Sequence, residues 1–161
     1  LANPGSGRHR LFTIDDLQTG RALTAEWTGK PLRDHLNDDR IPIYEPDDAG
    51  RKLVELAREY DFAFHSHWMT DHVGHRGTLE EAIDLLETLD GVVEGILSEW
   101  DHDEGLIILT SDHGNMEHIG DRKHTENDVP TLLIGAGREA FAEGFSQLTD
   151  FEPRLRRYLD V

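Results

Sequence analysis

The stretch Leu106–Asn115, which reads LIILTSDHGN, joins an apolar run directly to an acidic and an imidazole side chain. The run Leu106–Leu109 predicts a buried strand, because it is short, unbroken and apolar. Asp112 and His113 follow at the glycine turn of Gly114. An adjacent carboxylate and imidazole suit metal coordination better than a place in a hydrophobic core. The stretch therefore predicts a strand that ends at a metal site.

A second group of the same kind lies upstream, where Asp71 and His75 follow the apolar run Phe62–Phe64. That run predicts a short strand over residues 61–67, followed by a loop that carries both side chains. Their spacing of four places them on one face of a helical turn or tight loop. Mixed carboxylate and imidazole ligands favour Zn²⁺ or Mn²⁺ over Ca²⁺. Two such strand ends predict one polynuclear site at the carboxyl edge of a parallel sheet.

The rest of the pattern predicts an α/β fold with a mostly parallel sheet flanked by helices. Unbroken apolar strands that alternate with helices are typical of parallel sheets. The strands ending at about His67, Thr110 and Ile134 are therefore expected to be parallel neighbours. Periodicity and capping residues predict helices over residues 14–19 (N-cap Thr13), 46–59, 78–99 (capping box Thr78 and Glu81) and 150–159, with irregular structure between the first two. Residues 1–45 are expected to form a poorly defined N-terminal segment, and residues 46–161 an α/β metal-binding core.

Composition narrows the classes of partner. The 161 residues are enough for one domain with a real core, and the net charge of -17 opposes binding to nucleic acid or anionic membranes. The absence of cysteine excludes disulfides and thiolate zinc sites, and fits a reducing cytoplasm. No apolar stretch approaches the ~20 residues of a membrane span. We expect a cytoplasmic protein in which bound divalent cations supply the local positive charge that an oxyanion substrate needs.

Two motifs in these regions resemble those of a known family. The run Ser111–Glu117, followed by His124-Thr125 and then Val129-Pro130, resembles the C-terminal signature of the alkaline phosphatase superfamily. It is most like the cofactor-independent phosphoglycerate mutases and their metalloenzyme-domain relatives. The run Asp71–Gly77 is similar to the D-x-V-G-H-x-G element of the same family. The resemblance covers roughly residues 60–134 and is weak over the first 45.

The resemblance implies an alkaline-phosphatase-like core and a metal-dependent phosphoryl-transfer enzyme, of phosphomutase or phosphatase type, acting on a small phosphorylated or sulfated substrate. It also implies two divalent metal ions, Mn²⁺ or Zn²⁺. By analogy, one ion is bound by Asp71, His75 and His124, and the other by Asp112 and His113.

Other polar residues near these motifs have less specific interpretations. His72, Arg122 and Lys123 are candidate substrate contacts, although a solvated surface explains the last two equally well. His65 and His67 are better explained as structural residues of the predicted strand. His118 is a candidate for orienting a metal ligand from outside the coordination shell.

The family also implies residues that the sequence does not clearly provide. Its N-terminal strand ends in an Asp that binds the second metal, and a Ser or Thr nucleophile follows. Asp15 or Asp16 with Thr19, and Ser6, match only superficially, because no buried strand precedes them. The nucleophile is therefore not identified, and the chain is expected to be the C-terminal portion of a longer enzyme. Phosphodiesterase or sulfatase activity, and a non-catalytic metal-binding remnant, remain the alternatives.

Overall fold

A computed structural model describes residues 12–161 and contains both helices and strands. The α-helices of this region are α1 (Ile14–Gln18), α2 (Lys30–Leu36), α3 (Pro46–Ala57), α4 (Met69–Arg76), α5 (Leu79–Glu99), α6 (Arg138–Ala142) and α7 (Phe151–Leu159). The strands are β1 (Leu106–Thr110) and β2 (Thr131–Gly135). None of the described helices has both the length and the apolar composition needed to cross a membrane.

The helices that have clear caps form where the sequence predicts them. The Thr13 side chain caps α1 in a reciprocal arrangement with Asp16, and Thr78 caps α5 in the same way with Glu81. Each pair satisfies backbone N–H groups that the first helical turn leaves without partners. The helices predicted over residues 46–59 and 150–159 are also present, as α3 and α7. Local caps and apolar spacing were sufficient to locate these four elements.

Helix α2 replaces part of the irregular structure that the sequence predicted before α3. Its proline, Pro31, lies in the first turn of the helix, where a missing backbone N–H costs no intrahelical hydrogen bond. Gly29 precedes the helix with a φ of 78°, in the left-handed region that glycine adopts readily. Gly29 and Pro31 are of residue types that are common in loops, but here they lie at the start of a helix.

Helices α3 and α5 pack unusually closely, and glycines allow the contact. A Cβ atom built on Gly95 would lie 1.9 Å from the backbone oxygen of Asp47. One built on Gly50 would lie 2.1 Å from the backbone oxygen of Val92. Buried apolar side chains continue this contact, and the core there includes Trp27, Ala49 and Val92. The two helices form one packed layer. Helix α4 directly precedes α5 in the chain and contacts it.

The predicted parallel pairing of β1 and β2 is wrong. The strands are antiparallel, with Leu106 opposite Gly135 and Thr110 opposite Thr131, and within residues 12–161 they form a two-stranded sheet. A parallel pair needs a connection that crosses back over the sheet, usually through a helix. The connection between β1 and β2 contains only the short 3₁₀ turn Met116–His118, so the chain turns back and the strands run in opposite directions.

The strand predicted over residues 61–67 is also corrected. This segment is largely irregular and, within the part of the chain described, pairs with no strand. Phe62 and Phe64 are 51% and 80% exposed instead of buried. The following residues form α4, where the sequence predicted a loop. Apolar composition indicated a strand, but strand formation needs a pairing partner that local sequence does not reveal.

We expect Gly95→Ala to lower the free energy of unfolding by about 1–3 kcal/mol, the usual range for overpacking a tight contact. Alanine favours helix by about 1 kcal/mol over glycine, so the loss would appear despite a gain in helix propensity. Urea denaturation would measure the change. Glu94→Ala, at an exposed position of the same helix, is the matched control and should leave stability within about 0.5 kcal/mol. Equal or greater stability of Gly95→Ala would contradict the close approach of the helices.

Candidate metal centre

Helix α4 brings two of the predicted ligands together. Asp71 lies in its first turn and His75 in its last, one helical turn apart on the same face. The Nε2 atom of His75 lies 3.3 Å from Oδ1 of Asp71. The two side chains therefore share one face, as their spacing predicted. They lie on a helix, although a loop was expected at this position.

His124 reaches the same point from the connection between β1 and β2. Its Nε2 atom lies 3.1 Å from Oδ1 of Asp71 and 3.1 Å from Nε2 of His75. The side chains of Asp71, His75 and His124 are 43%, 21% and 47% exposed, so the cluster is open to solvent on one side. Three potential ligand atoms thus meet, although His124 is 53 residues from Asp71 in the chain.

The geometry of these three residues, the Asp71 triad, fits a divalent metal ion. His75 Nδ1 lies 3.1 Å from the backbone oxygen of Asp121, and because a carbonyl can only accept, His75 donates from Nδ1. Its Nε2 atom therefore directs a lone pair at the other two ligand atoms, as in metal sites where an outer carbonyl sets the tautomer. Tetrahedral bonds of about 2.0–2.1 Å separate neighbouring ligand atoms by about 3.3 Å. The observed separations of 3.1–3.3 Å agree with that arrangement.

His113 lies beside the triad, and Asp112 lies at its edge. The His113 ring stacks on His124, with ring centroids 3.5 Å apart. One ligand atom each from Asp71, His113 and His124 lies within 4.8 Å of the others. Asp112 is 3.6 Å from His113 Nε2, and its side chain is 82% exposed. The structure thus brings four predicted ligands, Asp71, His75, His113 and His124, into one group. Asp112 lies beside His113 at the edge of this group.

Asn115 holds the triad carboxylate in place, a role that sequence analysis missed. Its Nδ2 atom donates to Asp71 Oδ1 at 2.7 Å and to the Asp71 backbone oxygen at 3.2 Å. Asn115 is only 5% exposed. A Cβ on Gly74 would lie 2.2 Å from Asn115 Oδ1, so glycine at this position allows the contact. The signal available in the sequence was the position of this asparagine directly after Asp112–Gly114, whereas its burial and its contact with Asp71 appear only in the structure.

The pKa of Asp71 reflects these contacts. Burial alone would raise it, but the hydrogen bond from Asn115 and the nearby imidazoles of His75 and His124 outweigh burial, and the pKa is lowered. The carboxylate is therefore kept ionised, which is the form that binds a cation.

The remaining candidates are spread over the surface near the triad. His72 is exposed on α4, and Arg122 and Lys123 are exposed immediately before His124. His118 is also exposed and lies 3.8 Å from the Asp121 carboxylate, so it does not orient a triad ligand directly. The backbone oxygen of Asp121 does so instead.

The N-terminal candidates have structural contacts or lie outside the described region. Asp16 is buried and forms an ion pair with Arg21 at 3.1 Å. The Thr19 hydroxyl donates to the Asp15 backbone oxygen at 2.7 Å, at the end of α1. Ser6 lies outside the described residues.

His65 and His67, which the sequence indicated to be structural, are half-buried. His67 stacks on Trp27, with ring centroids 3.7 Å apart, and its Nδ1 donates to the Ala25 backbone oxygen at 2.8 Å. Burial lowers the pKa of both His65 and His67, which favours their neutral forms. These contacts agree with the structural interpretation, although the residues do not belong to a strand.

Similarity to known proteins also supports divalent metal binding by this chain. The model of the family described as the Metalloenzyme superfamily matches residues 44–157. The chain is similar to the 2,3-bisphosphoglycerate-independent phosphoglycerate mutase of Methylobacillus flagellatus, with 35% identity over 71% of this chain and 23% of that enzyme. It is also similar to the enzymes of the same name from Rhodopseudomonas palustris (34% identity, 76% of this chain, 26% of that enzyme) and Thiobacillus denitrificans (32%, 77% and 28%).

The matches cover most of this chain but only a small part of each relative. The chain spans about a quarter of the length of the curated relatives that it matches. No solved structure matches it significantly.

We expect His124→Ala to weaken binding of Zn²⁺ or Mn²⁺ by at least about tenfold, because the triad would lose one of its three ligand atoms. Isothermal titration calorimetry on the metal-free protein would measure the affinity. His118→Ala removes an exposed histidine from the same connection and is the matched control. Unchanged affinity in His124→Ala would show that the triad is not the metal site.

Proposed function

This chain belongs to the Metalloenzyme superfamily, and we propose that it carries the metal centre of a phosphoryl-transfer enzyme of the phosphomutase type. The observation that carries the proposal is the convergence of Asp71 Oδ1, His75 Nε2 and His124 Nε2 within 3.1–3.3 Å. The proposed metal-binding core is residues 46–161, with residues 1–45 as an N-terminal segment before it. The names of the relatives support this reaction class, and the proposal extends to the whole protein that contains the chain.

The proposed roles follow from the ligand chemistry. A divalent ion, Mn²⁺ or Zn²⁺, would supply Lewis acidity toward a phosphoryl oxygen when bound. Asp71 and the imidazoles of His75 and His124 would hold the ion, and Asn115 fixes the Asp71 carboxylate by donating to its Oδ1. His113 and Asp112 are proposed as ligands of a second ion, since His113 stacks directly on a triad histidine. In a chain with a net charge of -17, such ions would offset repulsion of an anionic substrate.

Substrate contacts are proposed at the exposed rim of the triad. Arg122 and Lys123 directly precede His124, and His72 directly follows Asp71. All three are exposed and can donate hydrogen bonds, and the two basic side chains also carry positive charge. A small phosphorylated substrate is therefore the proposed ligand, with its phosphate toward the triad.

The nucleophile is proposed to come from outside residues 12–161. The hydroxyl of Ser111 donates to the His113 backbone oxygen at 2.8 Å, and that of Thr125 donates to the Glu117 carboxylate. The hydroxyls of Ser111 and Thr125 are therefore already engaged in holding the loop. A covalent route would need a Ser or Thr oxygen placed in line with the phosphorus and activated there.

The test uses the whole protein that contains this chain, stripped of metal by a chelator and reloaded with Mn²⁺ or Zn²⁺. We expect interconversion of 2- and 3-phosphoglycerate, or release of phosphate from p-nitrophenyl phosphate, only in the reloaded protein. His124→Ala should lower kcat/KM by about 100-fold or more, because the metal is required in the transition state. His118→Ala should retain activity.

Other substrates distinguish the alternatives. Turnover of bis-p-nitrophenyl phosphate or p-nitrophenyl sulfate in preference to phosphate monoesters would indicate a phosphodiesterase or a sulfatase. Tight metal binding without turnover of any of these esters would indicate a non-catalytic metal-binding domain, and would overturn the proposed activity.

A further inference from the structure

The Glu117 carboxylate joins the two loop segments that carry His113 and His124. Its Oε2 atom accepts a hydrogen bond from the Asn115 backbone N–H at 2.8 Å, within the first segment. Its Oε1 atom accepts from the Thr125 hydroxyl and, at 3.0 Å, from Asn127 Nδ2, both in the second segment. One side chain therefore spans from two residues after His113 to one residue after His124.

The backbone reinforces this link at the same point. The Thr125 backbone N–H donates to the Gly114 backbone oxygen at 2.9 Å, so the two segments form an isolated antiparallel bridge. A Cβ on Gly114 would lie 2.1 Å from Thr125 Oγ1 and 2.5 Å from Glu117 Oε1. Glycine at position 114 thus makes room for both groups. The bridge holds the segments in register, directly beside the stacked rings of His113 and His124.

We propose that Glu117 is a positioning residue that sets the spacing of His113 and His124 for metal binding. This inference rests on the metal centre of the proposed function. Glu117 acts at both ends of the centre, because the Asn115 whose backbone it accepts from also orients Asp71 through its side chain.

The chemistry requires a carboxylate at this position. All three partners of Glu117 present hydrogens, and only an ionised carboxylate offers acceptors on both oxygens. The hydrogen bonds from Thr125 and Asn127 lower the pKa of Glu117 to about 2, so it is ionised at neutral pH. A glutamine has the same shape but only one acceptor oxygen, and its NH₂ group would face one of the donors. Glu117→Gln therefore tests the charge and the acceptor pattern with little change in volume.

The experiment titrates Co²⁺ into the metal-free full-length protein and follows the visible d–d absorption of the bound ion. For Glu117→Gln we expect Co²⁺ affinity to fall by about tenfold or more, the size found for outer-shell partners, with a changed band shape. Glu152→Gln is the control, because Glu152 also accepts a side-chain hydrogen bond, from Arg156, but on α7 and away from the metal centre. It should leave both affinity and spectrum as in the wild type.

A second variant keeps the test decisive if Glu117→Gln does not fold. Asn127→Ala removes one donor from an exposed position, and we expect it to weaken Co²⁺ binding by about two- to fivefold. Wild-type affinity and spectrum in a folded Glu117→Gln, even with a lower melting temperature, would overturn the inference and leave the metal centre standing. If Glu117→Gln does not fold, unchanged binding in Asn127→Ala has the same meaning. Failure of the wild type to bind Co²⁺ would overturn the metal centre, and this inference with it.

Discussion

The contact between the Asn115 side chain and Asp71, made over Gly74, is the interaction on which the arrangement of the candidate site depends. It joins α4 to the connection that follows β1, two parts of the chain that are 44 residues apart. A side chain at position 74 would occupy the space that Asn115 fills. Without this contact, Asp71 would lose the donor that helps to keep its pKa low, and His124 would lose a fixed carboxylate to approach.

Helix α4 is also in contact with α5, which packs against α3. Helix α4 ends at Arg76, and Gly77 caps it by donating its backbone N–H to the Val73 backbone oxygen at 2.7 Å. Helix α5 begins two residues after Gly77. This short connection places α4 against α5, and α5 in turn packs closely against α3. Packing of the helix pair thus contributes to the placement of the face that carries Asp71 and His75.

The candidate site carries little negative charge, although the chain as a whole is highly acidic. Most acidic groups lie on the surface, whereas the triad contributes a single carboxylate alongside imidazoles. A divalent ion bound by one carboxylate and neutral imidazoles would keep a net positive charge. The family match over residues 44–157 includes every predicted ligand, and the relatives' names agree with phosphoryl chemistry. The outer contacts of Asn115, Glu117 and the Asp121 carbonyl give this centre its geometry.

Local features of the amino-acid sequence were enough to predict the capped helices α1 and α5, because caps and periodicity depend on neighbouring residues. The grouping of Asp71, His75 and His124 as ligands of one ion came from the resemblance to a known family, and it stays a prediction. Local features did not determine the antiparallel sense of β1 and β2 or the lack of pairing at residues 61–67, since pairing depends on where the chain returns. Nor did they reveal the roles of Asn115 and Glu117, both within the recognised motif. Those roles arise because the folded chain brings Asp71 to Asn115 and Thr125 to Glu117, within hydrogen-bonding distance. Residue identity alone does not specify these contacts.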